Sequence, residues 1–226
     1  MAGLAVWNRL LARLCNRASM SIVILGWGSL TYDWHGLSLG TPVKWRLKGP
    51  TLPIEFSRKS TKGAREGLLT AVVDEVAGER VPTRLSTSSL KAISAVREEL
   101  RNREGRTRAS WIGSVDRAGK SEGNVSNRIA HEIHTWLLDT KFRAAVWTAI
   151  PPDFGDQPFT LEAARIHLQG LDPGRLQLAR NYIAWAPDEV DTPLRRSLSE
   201  TGLLRGADPR PIDVAQVWTD QGSSLE

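Results

Sequence analysis

The stretch Ile22-Val23-Ile24-Leu25-Gly26-Trp27-Gly28-Ser29-Leu30 sets the reading of the whole chain. Four branched apolar residues in a row have the length and shape of a strand buried on both faces. The chain then breaks into a turn, where Gly26 and Gly28 permit backbone angles or close approaches that a Cβ forbids. Successive N–H groups in such a turn can converge on one spot and form an anion-binding concavity. On its own the stretch also suits a plain strand end, so the flanking sequence has to decide.

Downstream, Tyr32-Asp33-Trp34-His35 is aromatic and polar, as befits a loop lining a cleft. Strand-like pieces follow at Val43–Leu47, Leu52–Arg58, Leu68–Asp74 and Arg80–Ser86, separated by the turn signals Lys48-Gly49-Pro50, Ser60-Thr61-Lys62-Gly63 and Gly78. No helix is expected between Val43 and Leu85, which favours an antiparallel meander or small barrel over a βαβ series. Ser88-Ser89 then reads as the cap of a helix from Leu90 to Arg103, striped by Leu90, Ile93, Val96 and Leu100 and stopped at Gly105. Glu104 falls at the end of that helix, where the dipole disfavours a carboxylate. A solvent-exposed glutamate is the default there, and a general base is the functional alternative.

Trp111–Val115 and Phe142–Ile150 read as further strands, with a helix between them over Asn124–Thr140. From Pro151 the pattern turns helical: Thr160, Pro173 and Thr192-Pro193 each open a helix, and Val214–Trp218 suits a last short strand or helix. Upstream, residues 1–20 place Leu4, Val6, Trp7, Leu10, Leu11 and Leu14 among arginines, a basic amphipathic pattern. It is too short and charged to span a bilayer, and an appendage on the domain is preferred to a membrane-surface helix. The expected architecture is α+β: a small mixed or antiparallel β-barrel or meander with flanking helices over residues 21–150. It is preceded by the extension 1–20 and followed by a helical extension, 151–226, packed on it.

Composition narrows the function. The chain has 226 residues, 41% apolar and 24% charged, which suits a soluble globular domain with a core of its own. Cys15 is the single cysteine, so no intramolecular disulfide can form and a reducing, cytoplasmic setting is expected. The net charge of +5 comes from scattered arginines, not from a basic block interleaved with aromatics, so nucleic acid is not an expected partner. His131 and His134 share a helix face but lack a third ligand at a recognisable spacing, so no metal site is expected.

The strand with Gly26-Trp27-Gly28-Ser29-Leu30, the meander, and the helix closing on Arg103-Glu104-Gly105 together resemble the γ-glutamylcyclotransferase-like superfamily, including its ChaC-type members. Those begin with a strand and a G-Y-G-S-[LN] loop and carry a catalytic glutamate after a helix, before a glycine. The resemblance covers residues 21–150 and marks the chain as a divergent member, with Trp27 where tyrosine is usual. It implies conversion of a γ-glutamyl amine, amide or peptide to 5-oxoproline and a free amine, without metal or organic cofactor. Glu104 would be the general acid/base, and Gly26, Trp27, Gly28, Ser29 and Leu30 would bind substrate. Glu55, a carboxylate within the apolar run 52–56, is the second candidate; a structural ion pair with Arg58 or Arg46 is the preferred reading for it. Ser29 as a nucleophile is disfavoured, because no glycine follows it and no histidine is placed for it. The alternative to an enzyme is a non-catalytic member of the fold that binds a small anion or a protein.

Overall fold

The computed structural model describes residues 21–61 and 63–210, so the amphipathic segment 1–20 and the Val214–Trp218 element lie outside the described residues. Strand β1 (Ile22–Gly26) is buried along its whole length, as its composition demands. Val23 and Leu25, followed by Trp27, enter one apolar cluster, while Ile22 and Ile24 enter another on the opposite face. This is the period-2 alternation of a central strand.

Seven further strands follow: β2 (Thr51–Lys59), β3 (Leu69–Val73), β4 (Glu79–Pro82), β5 (Arg84–Thr87), β6 (Ile112–Asp116), β7 (Ser121–Glu122) and β8 (Ala144–Thr148). They form two sheets, one five-stranded in the order β5-β1-β8-β6-β7 and one three-stranded in the order β3-β2-β4. The first is mixed: β1 runs parallel to β8 and antiparallel to β5, and β6 runs antiparallel to β8. The second is antiparallel throughout.

The sheets do not close into a barrel, which corrects that expectation. The expected single strand over 80–86 is split at Thr83, with β4 in the small sheet and β5 in the large one. Thr83 is fully buried, and its N–H and hydroxyl both donate to Pro50 O, at 3.2 and 2.7 Å. Gly49 lies against this corner so closely that a Cβ would meet Thr83 Oγ1 at 2.3 Å. The expected strand Val43–Leu47 is also absent. The segment covers the open edge of β5 through the N–H groups of Gly40, Arg46 and Gly49, which donate to Thr87, Leu85 and Thr83. Between Gly40 and Arg46 the chain bulges outward, so the stretch forms isolated bridges at Leu39 with Ser88 and at Arg46 with Leu85 and no continuous strand.

Helix α1 (Ile93–Arg103) begins later than the serines suggested. Ser88 Oγ accepts from Leu90 N at 3.1 Å and Ser89 Oγ donates to Ser38 O at 3.1 Å, which holds both residues in a turn ahead of the helix. Val96 and Leu100 pack on the Ile22/Ile24 face of the large sheet. Helix α2 (Asn127–Leu138), capped by Ser126, buries Ile129, Ile133 and Leu137 on the other face. Helices α3 (Leu161–Gln169), α4 (Pro173–Ala184) and α5 (Pro193–Glu200) start at the N-caps Thr160, Asp172 and Thr192, as the sequence indicates. Tyr182, Ile183, Leu194 and Leu198 share one core cluster with Leu52, Ile54 and Phe56 of β2. The C-terminal helices are thus a structural layer on the small sheet. Among the described residues no helix is long and apolar enough to cross a membrane.

Candidate functional site

Topology brings the end of α1 to the glycine turn. β5 runs antiparallel to β1, with Arg84 opposite Gly26 and Thr87 opposite Val23, so it finishes at the start of β1. Helix α1 carries the chain back, and β6 then begins opposite Thr148 at the carboxyl end of β8. β1 and β8 are parallel, so their carboxyl ends lie side by side. The end of α1, the turn after β1 and Thr148 therefore meet at one edge. Clefts outside the carboxyl ends of parallel strands are common ligand sites.

The turn itself is a short 3-10 helix over Ser29–Thr31. Gly28 O accepts from Thr31 N and Thr31 Oγ1, at 3.0 and 2.8 Å, and Ser29 O accepts from Tyr32 N and Asp33 N. The N–H groups of Gly28, Ser29 and Leu30 thus precede the first bond of the turn. The expected binding residues divide by role. Trp27 is buried and donates from Nε1 to Ala71 O at 3.1 Å, tying the turn to β3. Leu30 is buried in the α1-side cluster. Gly26 lies beneath Trp45, whose Cζ3 a Cβ would meet at 2.9 Å. Gly28 and Ser29 are the members that face polar groups.

Glu104 turns inward from the C-cap of α1, and its side chain is only 17% exposed. Oε1 accepts from Arg103 Nη1 at 2.6 Å and from Thr148 Oγ1 at 3.4 Å. Among the described residues no donor reaches Oε2. Arg103, 7% exposed, spans the gap to the turn: its Nη2 donates to Asp33 O at 2.7 Å and lies 3.4 Å from Ser29 Oγ. One guanidinium therefore separates the carboxylate from the turn. Burial works against the Arg103 charge, but the Glu104 and Asp33 carboxylates outweigh it and raise its pKa. Arg65 approaches from the far side, 3.4 Å from both Ser29 Oγ and Asp33 Oδ2. Ser29 Oγ thus lies between two guanidiniums, a good setting for holding an anion.

Two phenols complete the cluster. The Tyr32 hydroxyl is buried and has no hydrogen-bond partner among the described residues. Burial first, then Tyr182, pushes its pKa far above the usual phenol range, so it stays protonated. Tyr182, on α4, places its hydroxyl 3.4 Å from where a Gly28 Cβ would stand.

Glu55 is put to a different use. It is fully buried in β2, with Oε1 accepting from Phe56 N at 2.7 Å and Oε2 from Leu194 N at 3.1 Å. It also hydrogen-bonds Thr192, the N-cap of α5. Burial raises its pKa, and the three hydrogen bonds oppose that shift. Neither expected partner is present: Arg58 pairs with Asp153 at 3.6 Å, and Arg46 bridges to Leu85 through its backbone. Glu55 therefore holds a helix start onto the small sheet.

Asp33 and Tyr32 were legible as cleft-lining residues, and Arg103 adjoins the glutamate motif. Arg65, in a 3-10 turn over Gly63–Arg65, and Tyr182, in a helix outside the expected domain, carried no local signal. His134 Nε2 contacts Arg117 O at 3.2 Å. Among the described residues, no group of 3 or more His, Cys, Asp or Glu side chains comes together to hold a metal. Compared with protein-family models, with curated proteins and with solved structures, the chain matches none.

Proposed function

We propose that the protein is a γ-glutamylcyclotransferase-like enzyme that converts a γ-glutamyl amine, amide or peptide to 5-oxoproline and a free amine. One observation carries this reading: Glu104 is anchored through Oε1, has no donor at Oε2 among the described residues, and stands one guanidinium from Ser29 in the glycine turn. In the proposed reaction the substrate α-amine attacks its own γ-carbonyl. The ring C–N bond forms, the C–N bond to the leaving amine breaks, and Glu104 passes protons from the attacking to the departing nitrogen. The N–H groups of Gly28, Ser29 and Leu30 steady the oxygen on which charge develops. Both reacting groups belong to one molecule, so holding the folded conformer supplies a large part of the acceleration.

The test is 5-oxoproline release by the full chain from a panel of γ-glutamyl amines, amides and peptides. Release is expected from at least one compound, and Glu104→Gln abolishes it while leaving the circular dichroism spectrum unchanged. A folded wild-type protein that yields no product from the panel overturns the reading. The two guanidiniums against Ser29 favour a second reading, a non-catalytic anion-binding site. Saturable binding of the same compounds without turnover is its signature.

A further inference from the structure

We propose that the C-terminal helical layer belongs to the site, with Tyr182 of α4 a ligand-contacting, specificity-setting residue that works with Tyr32. The ligand group they take is a carboxylate on a small molecule. The Tyr182 ring is buried and meets Phe56 edge-on, with centroids 6.3 Å apart, so its position is fixed by packing. Its hydroxyl projects to Gly28, where the missing side chain leaves room for a ligand atom instead of a methyl group 3.4 Å away. The Arg65 guanidinium lies 5.7 Å from the Tyr182 ring centroid and reaches Ser29 and Asp33 on the turn. The same helix ends at Trp185, whose ring meets Tyr32 edge-on at 6.1 Å. Helix α4 therefore touches both ends of the 3-10 turn.

The Tyr32 hydroxyl points to a ligand because a buried polar group without a partner is costly and uncommon. It can be relieved by an acceptor brought in from outside. Two phenol donors with Arg65 and Arg103 near them select an acceptor with negative charge, which a carboxylate supplies and a carboxamide supplies only in part. For the identity of the ligand the inference rests on the cyclotransferase reading, but the donor arrangement does not depend on turnover.

The experiment measures binding of L-glutamate and L-5-oxoproline, and of their carboxamides, to the full-length wild-type chain and to Tyr182→Phe and Tyr32→Phe, by calorimetry. Both substitutions keep the ring packing. Each is expected to weaken carboxylate binding by about tenfold or more while changing carboxamide binding little. Tyr32→Phe is also expected to raise the melting temperature of the unliganded protein, because it removes the orphan hydroxyl. Wild-type protein that binds neither carboxylate, or phenylalanine variants that bind them as well as wild type, overturns the inference. Carboxylate binding that depends on both phenols, with no 5-oxoproline release from any substrate, removes the cyclotransferase reading and leaves this one standing. Turnover lost in Glu104→Gln but with unchanged KM and kcat in both phenylalanine variants does the reverse.

Discussion

Gly26 tests whether the opening residue of the turn serves ligand or packing. An alanine there places a methyl group 2.9 Å from Trp45 Cζ3, 3.2 Å from Trp45 Cη2 and 3.3 Å from Thr31 Cγ2, all inside ordinary contact distance. Overpacking of this kind costs about 1–3 kcal/mol, against which one more buried methyl returns about 0.8 kcal/mol. Gly26→Ala is therefore expected to destabilise the protein by up to about 2 kcal/mol, and Tm falls by about 2–4 °C per kcal/mol in a chain of this size. Trp45→Phe removes the outer ring atoms that cause the clash, together with an indole N–H that is buried without a partner among the described residues. In that background Gly26→Ala should cost far less, giving a coupling of about 1 kcal/mol in a double-mutant cycle. Urea unfolding followed by far-ultraviolet circular dichroism measures all four proteins without relying on Trp45 itself. A Gly26→Ala cost that is negligible, or identical in the two backgrounds, refutes the packing role and returns Gly26 to the ligand.

Arg103→Met removes the bridge between Glu104 and the turn, taking away the Glu104 ion pair and leaving Asp33 with Arg65. Breaking a buried pair costs about 3–5 kcal/mol; Asp33 and Glu104 keep some water, so the low end is expected in urea unfolding. Arg103→Lys should recover only part of this, since one ammonium cannot span Glu104, Ser29 and Asp33 as the guanidinium does. Equal stability of Met, Lys and wild-type proteins contradicts the bridge. Glu55 gives a pH dependence. Its pKa is raised in the folded protein, so between its ordinary value of 4.5 and the raised one the native state binds more protons than the unfolded chain, and stability falls as pH rises. Glu55→Gln should flatten that decline above pH 4.5; an unchanged pH profile of unfolding free energy rules it out.

What the sequence could disclose follows the range of the forces involved. The starts of α3, α4 and α5 were readable at Thr160, Pro173 and Thr192-Pro193 because start signals are local: Thr160 and Thr192 cap within three residues of themselves, accepting from Ala163 and Arg195, and Pro173 stands in the first turn of α4 behind its N-cap Asp172. The Val96/Leu100 stripe was readable because helical periodicity is local. Ser88 and Ser89 misled because their hydroxyls bond in the turn ahead of α1, partly to Ser38, a partner far away in sequence. The barrel expectation failed at Thr83, where a buried threonine and a glycine at 49 let the chain change sheets within an extended run. Glu104 was singled out as a candidate through the resemblance of its motif. Tyr182 was not, since a tyrosine in the helix Pro173–Ala184 looks like any core residue until β3 and α4 are packed over the turn.

The same topology bears on the proposed anion site, where positive charge comes from side chains. In many α/β sites a helix N-terminus faces the ligand and its dipole attracts an anion. Here the β5-α1-β6 crossover delivers the C-terminus of α1, the negative end, to the carboxyl ends of β1 and β8. An anion at that edge meets a repulsive helix end, and Glu104 adds a further negative charge. Arg101 and Arg103 occupy the last turn of α1, where cations complement the dipole. Arg103 alone reaches both Glu104 and the turn. Arg65 comes from a separate loop to the same serine. In the proposed site, placement of the Glu104 carboxylate and one of the two cationic contacts to Ser29 pass through the same guanidinium, which gives Arg103 a heavier role than its place beside the motif suggests.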